Sequence, residues 1–367
     1  MDIWLLAENW PPRVGGIENY LTNIAEELRS HHAVQVLAPA GEKDEDTSVW
    51  RHRFFYPFLR PNWLPLLKWA QKKDLPDLML CGKALFEGLL ARKLDVPYVV
   101  FTYAMEIKTW SQKPRTKKKL VQVIKDAQTV VYINDVTRQH LAELGATDEQ
   151  LLKLPPGISQ RSLDTVSKPL VESTARHYGI RQPYILSVGR LIERKGFDIL
   201  IEAFAQLDQT KLADHQLVIA GAGPEADRLK QVAQDHLVGT TVKFLENVPD
   251  KHLPPLYAGA DVFALTPIET PDDMEGFGIV YVEAAAQGTP AIATETGGAS
   301  EAVVNGVTGL VIPPRDSAAV TGALNELLTN KERLNKLGAA ARELAKQRAW
   351  SAAIEPLLKR IANGSHA

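Results

Sequence analysis

The sequence of 367 residues contains only one cysteine, Cys81. A single cysteine excludes an intramolecular disulfide, which fits a chain that works in a reducing compartment. The formal net charge is only −2, because 42 lysines and arginines nearly balance 44 aspartates and glutamates. Nucleic-acid binding calls for an excess of basic residues, so this balance gives no indication of a nucleic-acid partner.

Long hydrophobic runs are also absent, and no apolar stretch is long enough to span a bilayer. Residues 1–6 are too few, and lack the basic flank, for a signal peptide. We therefore expect a cytoplasmic protein. Its hydrophobic content of 45% and charged content of 23% are typical of a globular chain, and its length allows two domains of ordinary size.

A glycine-rich turn with a carboxylate on either side is the most distinctive stretch of the sequence. Glu275 precedes the glycines, and good helix formers then run over residues 279–287, with Glu283 among them. Glycine lets the backbone approach a ligand closely, and the free N–H groups at a helix start form an anion site. Because carboxylates accept hydrogen bonds from hydroxyls, this order of groups suits a sugar joined to a nucleotide through a diphosphate.

The segments around this turn predict an open α/β sheet. One buried strand is predicted at residues 261–265 and another at residues 290–293, and a second glycine turn then opens a short helix at residue 300. In such sheets ligands bind at the carboxyl ends of the strands. Because each of these loops follows a predicted strand, we expect them to share one edge of the sheet.

Two cations follow another predicted strand, which ends at Gly189. Arg190 and Lys195 flank the turn before the helix that is predicted at residues 197–207. Together they can neutralise a diphosphate without a metal ion. Each of them taken alone is more often a surface charge.

A similar glycine turn lies near the N-terminus, where Gly15 and Gly16 separate a strand predicted at residues 3–7 from a helix that runs to residue 28. This arrangement can place an anion at the helix start. The spacing of a dinucleotide-binding fingerprint is absent, and a Gly-Gly pair taken alone more often marks only a turn.

With these motifs, the chain resembles the retaining glycosyltransferases that carry a Glu-x7-Glu motif, matched here by Glu275 and Glu283. The likeness extends over nearly the whole chain. It includes Pro-Pro-x-x-Gly-Gly-Ile-Glu at residues 11–18 and Gly-Arg-Leu-x-x-x-Lys-Gly at residues 189–196. This large family includes bacterial phosphatidylinositol mannosyltransferases, lipopolysaccharide glucosyltransferases and sucrose synthases.

The resemblance implies an α/β fold with two Rossmann-like domains that face each other across a cleft, known as the GT-B fold. Residues 1–165 would form an N-terminal acceptor-side domain, and residues 166–349 would form a domain that binds the nucleotide-sugar. A C-terminal helix, residues 350–363, would cross back onto the first domain.

The resemblance also implies roles for residues on the donor side. Arg190 and Lys195 would hold the diphosphate. Glu275 would reach hydroxyls of the donor sugar, and Glu283 would reach the ribose. Val248 would lie in the loop that faces the nucleotide base. Backbone amides would meet the sugar and the diphosphate at Gly276, Phe277, Gly278 and Ile279.

On the acceptor side, the resemblance places Gly16, next to Gly15, against the diphosphate. The chain departs from the family after the strand predicted at residues 98–102, where Tyr103 replaces the usual histidine while Glu106 is kept. A tyrosine, with an ordinary pKa of about 10, is mostly neutral and is not a ready general base. A catalytic role and a packing role for Tyr103 therefore both stay open.

The activity that the resemblance implies is a retaining, metal-independent transfer of a hexose from a nucleotide-sugar to a hydroxyl of a lipid-linked or glycan acceptor. The acidic loop before Glu275 and the opening at residues 11–17 look most like the GDP-mannose-dependent mannosyltransferases of the phosphatidylinositol mannoside group. A UDP-sugar enzyme of the same family and a non-catalytic nucleotide-sugar-binding protein are the alternatives. No metal cofactor is expected, since no Asp-x-Asp motif lies near a glycine loop.

A run of basic residues precedes the predicted helix that contains Val121 and Ile124. Such a run is usually a solvated face, but clustered cations can also hold a peripheral protein on an anionic membrane. If the run is not merely a solvated face, we expect it to bind an anionic membrane surface or an acidic acceptor. The basic residues are Lys113, Arg115, Lys117, Lys118 and Lys119.

Overall fold

The structure is a computed structural model, and it describes residues 1–13, 15–40, 46–52, 63–207, 214–270 and 273–364. The chain divides into two units. One consists of Met1–Gly157 and Trp350–Ala367, and the other consists of Ile158–Ala349. This boundary lies before the one predicted at residue 165, because the backbone N–H of Ile158 donates to the carbonyl of Arg348 at 2.9 Å. That bond ties the segment after residue 157 to the second unit.

Seven strands form the sheet of the first unit within the described residues, namely β1 (Asp2–Leu6), β2 (Ala33–Pro39), β3 (Val49–His52), β4 (Leu78–Cys81), β5 (Tyr98–Thr102), β6 (Thr129–Tyr132) and β7 (Leu151–Lys153). They are parallel and lie in the order β3-β2-β1-β4-β5-β6-β7. Strands β4 and β5 are buried along their whole length, as expected when helices cover both faces of a parallel sheet. The sequence prediction missed β3 and β7, which are the short strands at the two edges.

The helices of the first unit that precede residue 157 are α1 (Gly16–Arg29), α2 (Trp63–Ala70), α3 (Leu85–Leu94), α4 (Ala104–Ser111), α5 (Pro114–Asp126) and α6 (Asp135–Glu143). Helix α1 packs on the sheet because its apolar residues recur at helical spacing, and Leu21, Ile24 and Leu28 are all buried. Asn134 caps α6 by accepting the backbone N–H of Thr137 at 2.8 Å.

Six strands form the sheet of the second unit within the described residues, namely β8 (Tyr184–Val188), β9 (Gln216–Ala220), β10 (Val242–Leu245), β11 (Val262–Ala264), β12 (Ala291–Thr294) and β13 (Gly309–Ile312). They are also parallel and lie in the order β10-β9-β8-β11-β12-β13. Every residue of β8 and β9 is buried. The sequence prediction missed β13, again a short strand at an edge.

The helices that the described residues of the second unit form are α7 (Gln160–Leu163), α8 (Lys168–His177), α9 (Phe197–Ala205), α10 (Ala226–Asp235), α11 (Leu253–Gly259), α12 (Ile279–Ala286), α13 (Ala299–Ala302), α14 (Ser317–Thr329) and α15 (Lys331–Lys346). Two short 3-10 turns, Glu193–Lys195 and Asp250–His252, precede α9 and α11. Helix α12 is the one predicted behind Glu275. It begins after Gly278, and the chain leaves it at Gly288, where φ is 78°.

The chain returns to the first unit after residue 349, as two helices rather than the single helix predicted, α16 (Trp350–Ala353) and α17 (Glu355–Gly364). The indole of Trp350 packs against the Tyr20 ring of α1, with the ring centroids 5.6 Å apart. Leu357 and Ile361 lie in the same core as α1. These contacts make the C-terminal segment part of the core of the first unit.

Both sheets reverse their strand order at one place, between β1 and β4 in the first unit and between β8 and β11 in the second. Ligands of open α/β sheets bind outside the carboxyl ends of the strands at such a reversal. The predicted residues Lys195 and Glu275 follow β8 and β11 respectively. Within the described ranges, no helix is long and apolar enough to cross a membrane.

Candidate active site

The candidate donor site lies in the second unit, where β8 and β11 end. After β8 the chain makes the 3-10 turn Glu193–Lys195, which closes at Gly196 with φ 64°. The hydroxyl of Thr266, just after β11, donates to the carbonyl of Gly196 at 2.7 Å. A side chain on Gly196 would collide with the backbone of Thr266. The turn therefore packs directly on the loop that leads to Glu275.

Glu275 is the centre of a buried ion network. Lys195 Nζ lies 2.6 Å from Glu275 Oε2, and Arg194 Nη1 lies 2.7 Å from the same oxygen. Arg194 Nε also contacts Asp273 Oδ2 at 2.7 Å. The exposed fraction is 8% for each of the two cations and 6% for Glu275. The structure thus brings together the predicted residues Lys195 and Glu275, and it adds Arg194 and Asp273 to them.

The cations of this network determine the ionisation of Glu275. Burial alone would raise the pKa of its carboxyl, but the positive charges and hydrogen bonds of Lys195 and Arg194 outweigh burial and lower the pKa of Glu275. Counting Asp273, the network holds two cations and two carboxylates, so their charges balance. Such pairing is what allows charged groups to be buried at all.

Helix α12 begins directly after this network. Its cap, Gly278, has φ 77°, a conformation that glycine adopts without strain. The second predicted glycine turn supports the first, because the backbone N–H of Gly298 donates to the carbonyl of Glu275 at 2.9 Å. The free N–H groups and the dipole at the start of α12 favour an anion close to Glu275.

Glu283 lies within α12 and is held by Tyr257 of α11. The Tyr257 hydroxyl donates to Glu283 Oε2 at 2.8 Å. Burial raises the pKa of Glu283, and this hydrogen bond opposes the increase. The Tyr257 carbonyl accepts the hydroxyl of Thr289 at 2.6 Å, which fixes the tyrosine in turn. The predicted contact of Glu283 with the ribose stays a prediction.

The other predicted donor residues lie outside the ion network. Arg190 is exposed and forms no ion pair with the residues that the structure describes. Val248 follows β10 and is half-buried against the core of the second unit. The side chain of Phe277 is buried, and the guanidinium of Arg348 lies 5.1 Å from its ring centroid. Donor contacts of these residues, and of the amides of Gly276 and Ile279, stay predictions.

The candidate acceptor residues lie in the first unit, where β1, β4 and β5 end. Gly15 caps α1 with an extended backbone, and Gly16 is the first residue of the helix. A side chain on Gly15 would collide with Glu18, whereas one on Gly16 would meet no described atom. Glu18 is buried and accepts the side-chain N–H of Asn9 at 2.7 Å. The open space beside Gly16 is compatible with the predicted ligand contact.

Two carboxyls, Glu87 and Glu106, are buried at the same edge. Glu87 accepts the backbone N–H groups of Glu8 and Lys83 at 3.0 and 2.7 Å, so both its oxygens are bonded. Glu106 Oε1 accepts the N–H of Ala84 at 3.1 Å, whereas its buried Oε2 has no partner in the described part of the chain. Burial raises the pKa of each carboxyl to about 8, although the charge of Lys83 opposes the increase. Both groups are therefore largely protonated at neutral pH.

Tyr103, which the resemblance places where a histidine is usual, packs its ring edge-on against Tyr20, with the centroids 6.5 Å apart. Its hydroxyl is buried and has no hydrogen-bond partner among the described residues. Burial, followed by the proximity of Tyr20 and Glu106, raises the pKa of Tyr103 well above its ordinary value. The hydroxyl therefore keeps its proton at neutral pH and is not available as a general base. The geometry favours the packing role over the predicted catalytic one.

Sequence reasoning missed three side chains that hold these sites in place, which are Arg194, Tyr257 and Glu87. The available signal for Arg194 was its position next to Lys195, since both lie in one short turn. No local pattern marks the other two. Tyr257 contacts a residue 26 positions away in the sequence, and Glu87 accepts a hydrogen bond from a residue 79 positions away.

Two family models match the sequence. One, described as "Glycosyl transferases group 1", matches residues 175–344, and the other, "Glycosyltransferase Family 4", matches residues 14–161. A GDP-mannose-dependent alpha-(1-6)-phosphatidylinositol monomannoside mannosyltransferase of Mycolicibacterium smegmatis is 33% identical over 361 residues, which cover 93% of each chain. The chain belongs to glycosyltransferase family 4. The predicted family is thereby confirmed.

Other relatives of this family 4 glycosyltransferase agree with that assignment. A protein of the same name from Mycobacterium tuberculosis is 30% identical over 360 residues, covering 93% of this chain and 92% of the relative. A D-inositol 3-phosphate glycosyltransferase of Corynebacterium aurimucosum is 29% identical over 288 residues, covering 74% of this chain and 67% of the relative.

Solved structures of other glycosyltransferases share the fold. Anabaena HepE in complex with UDP and glucose has a TM-score of 0.80 at 22% identity, covering 99% of this chain and 100% of HepE. A glycosyltransferase of Rickettsia africae has a TM-score of 0.81 at 19% identity, covering 98% of this chain and 97% of that protein. These likenesses confirm the predicted GT-B class, with two parallel α/β domains.

We expect Lys195→Ala to lower sugar transfer by at least about a hundredfold, because it removes one of the two fixed cations beside Glu275. Glu275→Gln, which keeps the shape and removes the charge, should lower transfer to a similar extent. The measurement is steady-state release of nucleotide by purified variants whose thermal unfolding is recorded in parallel.

The matched control is Lys230→Ala, because Lys230 forms a half-exposed ion pair with Glu246 at 3.2 Å in the same unit. Its rate should equal that of the wild-type protein. A rate near wild type for Lys195→Ala or Glu275→Gln would exclude this pair from the catalytic machinery.

A second prediction concerns the pH dependence of stability. Glu106 has a folded-state pKa of about 8 against an ordinary value of 4.5, so between these values the folded protein binds more protons than the unfolded chain. Its stability must therefore fall as pH rises through this window. Glu106→Gln removes this contribution, and the free energy of unfolding of the variant should fall less between pH 5 and pH 8.

Between pH 5 and pH 8, the free energy of unfolding should fall by at least about 1 kcal/mol more in the wild-type protein than in Glu106→Gln, since a pKa difference of one unit is worth about 1.4 kcal/mol. Urea unfolding at several pH values measures it, with exposed Glu143→Gln as the control. Parallel stability curves for wild type and Glu106→Gln would show that the Glu106 carboxyl is not buried as a neutral group.

Proposed function

We propose that this family 4 glycosyltransferase transfers mannose from GDP-mannose to a hydroxyl of a lipid-linked or glycan acceptor, with retention of configuration and without a metal ion. The observation that carries the proposal is the contact of Lys195 and Arg194 with Glu275 at the strand reversal of the second unit. The donor is inferred from the Mycolicibacterium and Mycobacterium relatives, whose names specify GDP-mannose. Each of them matches this chain over nearly the full length of both proteins.

The geometry suits a sugar diphosphate in the following way. Lys195 uses one N–H on Glu275 Oε2, so its ammonium keeps donors for a phosphate oxygen. Exposed Arg190 and the start of α12 supply further positive charge and N–H groups. The departing GDP gains negative charge in the transition state, and fixed cations that meet it lower the barrier. Glu275 would accept a hydroxyl of the sugar.

Retention is proposed to occur on one face of the sugar, with the leaving phosphate removing the proton of the acceptor hydroxyl. The environment of Tyr103 supports this assignment, because its buried hydroxyl with a raised pKa is unsuited to act as the base. The proposal thus needs no histidine at this position. It also assigns no step to a metal ion.

The acceptor is proposed to be a membrane lipid that carries a hydroxyl-bearing head group, as in the names of the mycobacterial relatives. Helix α5 would bring the protein to an anionic membrane surface from the cytoplasmic side. Its buried residues Leu120, Val123 and Ile124 pack inward. The exposed cations at its start are Lys113, Arg115, Lys117, Lys118 and Lys119.

The donor is tested by calorimetric titration of the purified protein with GDP, UDP and ADP in EDTA. The protein should then be incubated with the matching sugar donors and a phosphatidylinositol monomannoside. We expect GDP to bind most tightly and the mannosylated lipid to form only from GDP-mannose. The anomeric proton of the product, observed by NMR, should show the α configuration of the donor.

Each other outcome changes one part of the proposal. A preference for UDP would move the donor to a UDP-sugar while keeping the family and the site. A requirement for added Mg²⁺ would overturn the metal-independent transfer. Donor binding without turnover on lipid and glycan acceptors would favour a non-catalytic nucleotide-sugar-binding protein.

Membrane contact is tested by sedimentation with vesicles of phosphatidylcholine, with and without phosphatidylserine. We expect binding only to the anionic vesicles. Substituting Lys117, Lys118 and Lys119 together by Gln should weaken binding about a hundredfold, since each cation near the surface is worth about 1 kcal/mol.

The control variant substitutes three exposed lysines of α15 in the second unit, which are Lys331, Lys336 and Lys346. It has the same change of net charge and should bind as the wild-type protein does. Equal weakening in both triple variants would attribute the vesicle binding to net charge rather than to α5.

A further inference from the structure

Arg194 is buried between two carboxylates, and the family motif assigns it no role. Its backbone and its side chain both contact the loop after β11. The N–H of Ile268 donates to the Arg194 carbonyl at 2.8 Å, while the guanidinium contacts Asp273 and Glu275 at 2.7 Å each. The arginine therefore has little freedom to move independently of this loop.

The two oxygens of Glu275 have different surroundings. Oε2 accepts hydrogen bonds from both Lys195 and Arg194. Oε1 accepts none from the residues that the structure describes. A carboxylate whose one oxygen is held by two cations has a fixed orientation, and its second oxygen keeps its capacity to accept a hydroxyl proton.

The other contact of Arg194 holds the loop itself. Asp273, whose carboxylate meets Arg194 Nε, is also hydrogen-bonded to Thr270. The N–H of Thr270 donates to the Asp273 carbonyl at 2.9 Å, and the N–H of Asp273 donates to the Thr270 hydroxyl at 3.0 Å. The guanidinium thus connects the carboxylate of Asp273 to that of Glu275, two residues later.

We propose that Arg194 is a positioning residue for the donor sugar, which orients Glu275 so that Oε1 meets a sugar hydroxyl and which also holds the Asp273 carboxylate in place. The inference rests on the proposed function, because it takes Glu275 as the group that contacts the sugar. It separates Arg194 from Lys195, its neighbour in the sequence. Lys195 would contact the diphosphate, whereas Arg194 would act on the sugar through Glu275.

The geometry of arginine explains why this position needs it. Nε and Nη1 of one planar guanidinium reach two different carboxylates, which a lysine ammonium on its flexible stem does not match. Arg194 already contacts two carboxylates, whereas Lys195 contacts one, so Arg194 is the less well placed of the two to bind a phosphate. A role through Glu275 therefore fits its contacts better than direct contact with the donor.

The test compares the binding of GDP-mannose with that of GDP, which lacks the sugar, by calorimetry on the purified full chain. Arg194→Gln should weaken GDP-mannose about tenfold, as expected for loss of a charged hydrogen bond, and should change GDP by less than about threefold. Arg194→Lys, which keeps the charge but reaches one carboxylate, should recover part of the loss. Asp273→Asn should give an intermediate loss.

A double-mutant cycle with Glu275→Gln shows whether Arg194 acts through Glu275. In the Glu275→Gln background, Arg194→Gln should weaken GDP-mannose by less than about threefold, because the group it orients is already changed. The control is Arg228→Gln, since Arg228 also contacts two carboxylates, Asp198 and Glu225, but on the surface. It should bind both ligands as the wild-type protein does.

Equal weakening of GDP and GDP-mannose by Arg194→Gln would overturn the inference, because Arg194 would then bind the diphosphate. Equal losses in the two backgrounds would overturn it as well. If the wild-type chain binds a different sugar nucleotide, the proposed donor is wrong. The role of Arg194 is then decided by comparing the binding of that sugar nucleotide with the binding of its nucleoside diphosphate. A wild-type chain that binds no sugar nucleotide overturns both proposals.

Discussion

Compensation of one buried negative charge governs the donor edge of the second unit. Glu275 is almost inaccessible to water, so its carboxylate is tolerated only because Lys195 and Arg194 neutralise it. The cations follow β8 and the carboxylate follows β11, two strands that pair directly in the sheet. The charges therefore meet only when these strands are in register. Correct pairing at the strand reversal and assembly of the candidate site are the same event.

Two carboxyls of the first unit are buried by the opposite means. Glu87 and Glu106 form no ion pair with the described residues, and burial raises the pKa of each carboxyl to about 8, so both are largely neutral near pH 7. A protonated carboxyl offers both a donor and an acceptor, which are the groups that hydroxyl-bearing ligands require. The carboxyl of Glu106, whose Oε2 has no partner among the described residues, suits the alcohol that is proposed as acceptor, whereas the ion network of the second unit suits the anionic sugar nucleotide.

Much of this architecture is predictable from the sequence, for identifiable reasons. Central strands such as β5 are continuous apolar runs, because both their faces are buried, whereas the edge strands β3, β7 and β13 are not buried along their whole length and show a weaker pattern. Lys195 and Glu275 were predictable because each sits beside a glycine turn after a buried strand. Arg194 and Tyr257 were not, because their roles depend on residues that only the folded sheet and helices bring near.

The return of the chain into the first unit has a consequence for the order in which the protein is made. Tyr20 of α1 packs against Trp350, which is synthesised only after the second unit. The first unit therefore begins to be synthesised first but is completed last. During translation the core of the first unit stays incomplete, with the surface around Tyr20 uncovered, until the whole second unit has been synthesised. The second unit is one continuous segment and can complete its core before the C-terminal helices leave the ribosome. In the nascent chain, the second unit therefore completes its core ahead of the first unit, which precedes it in the sequence.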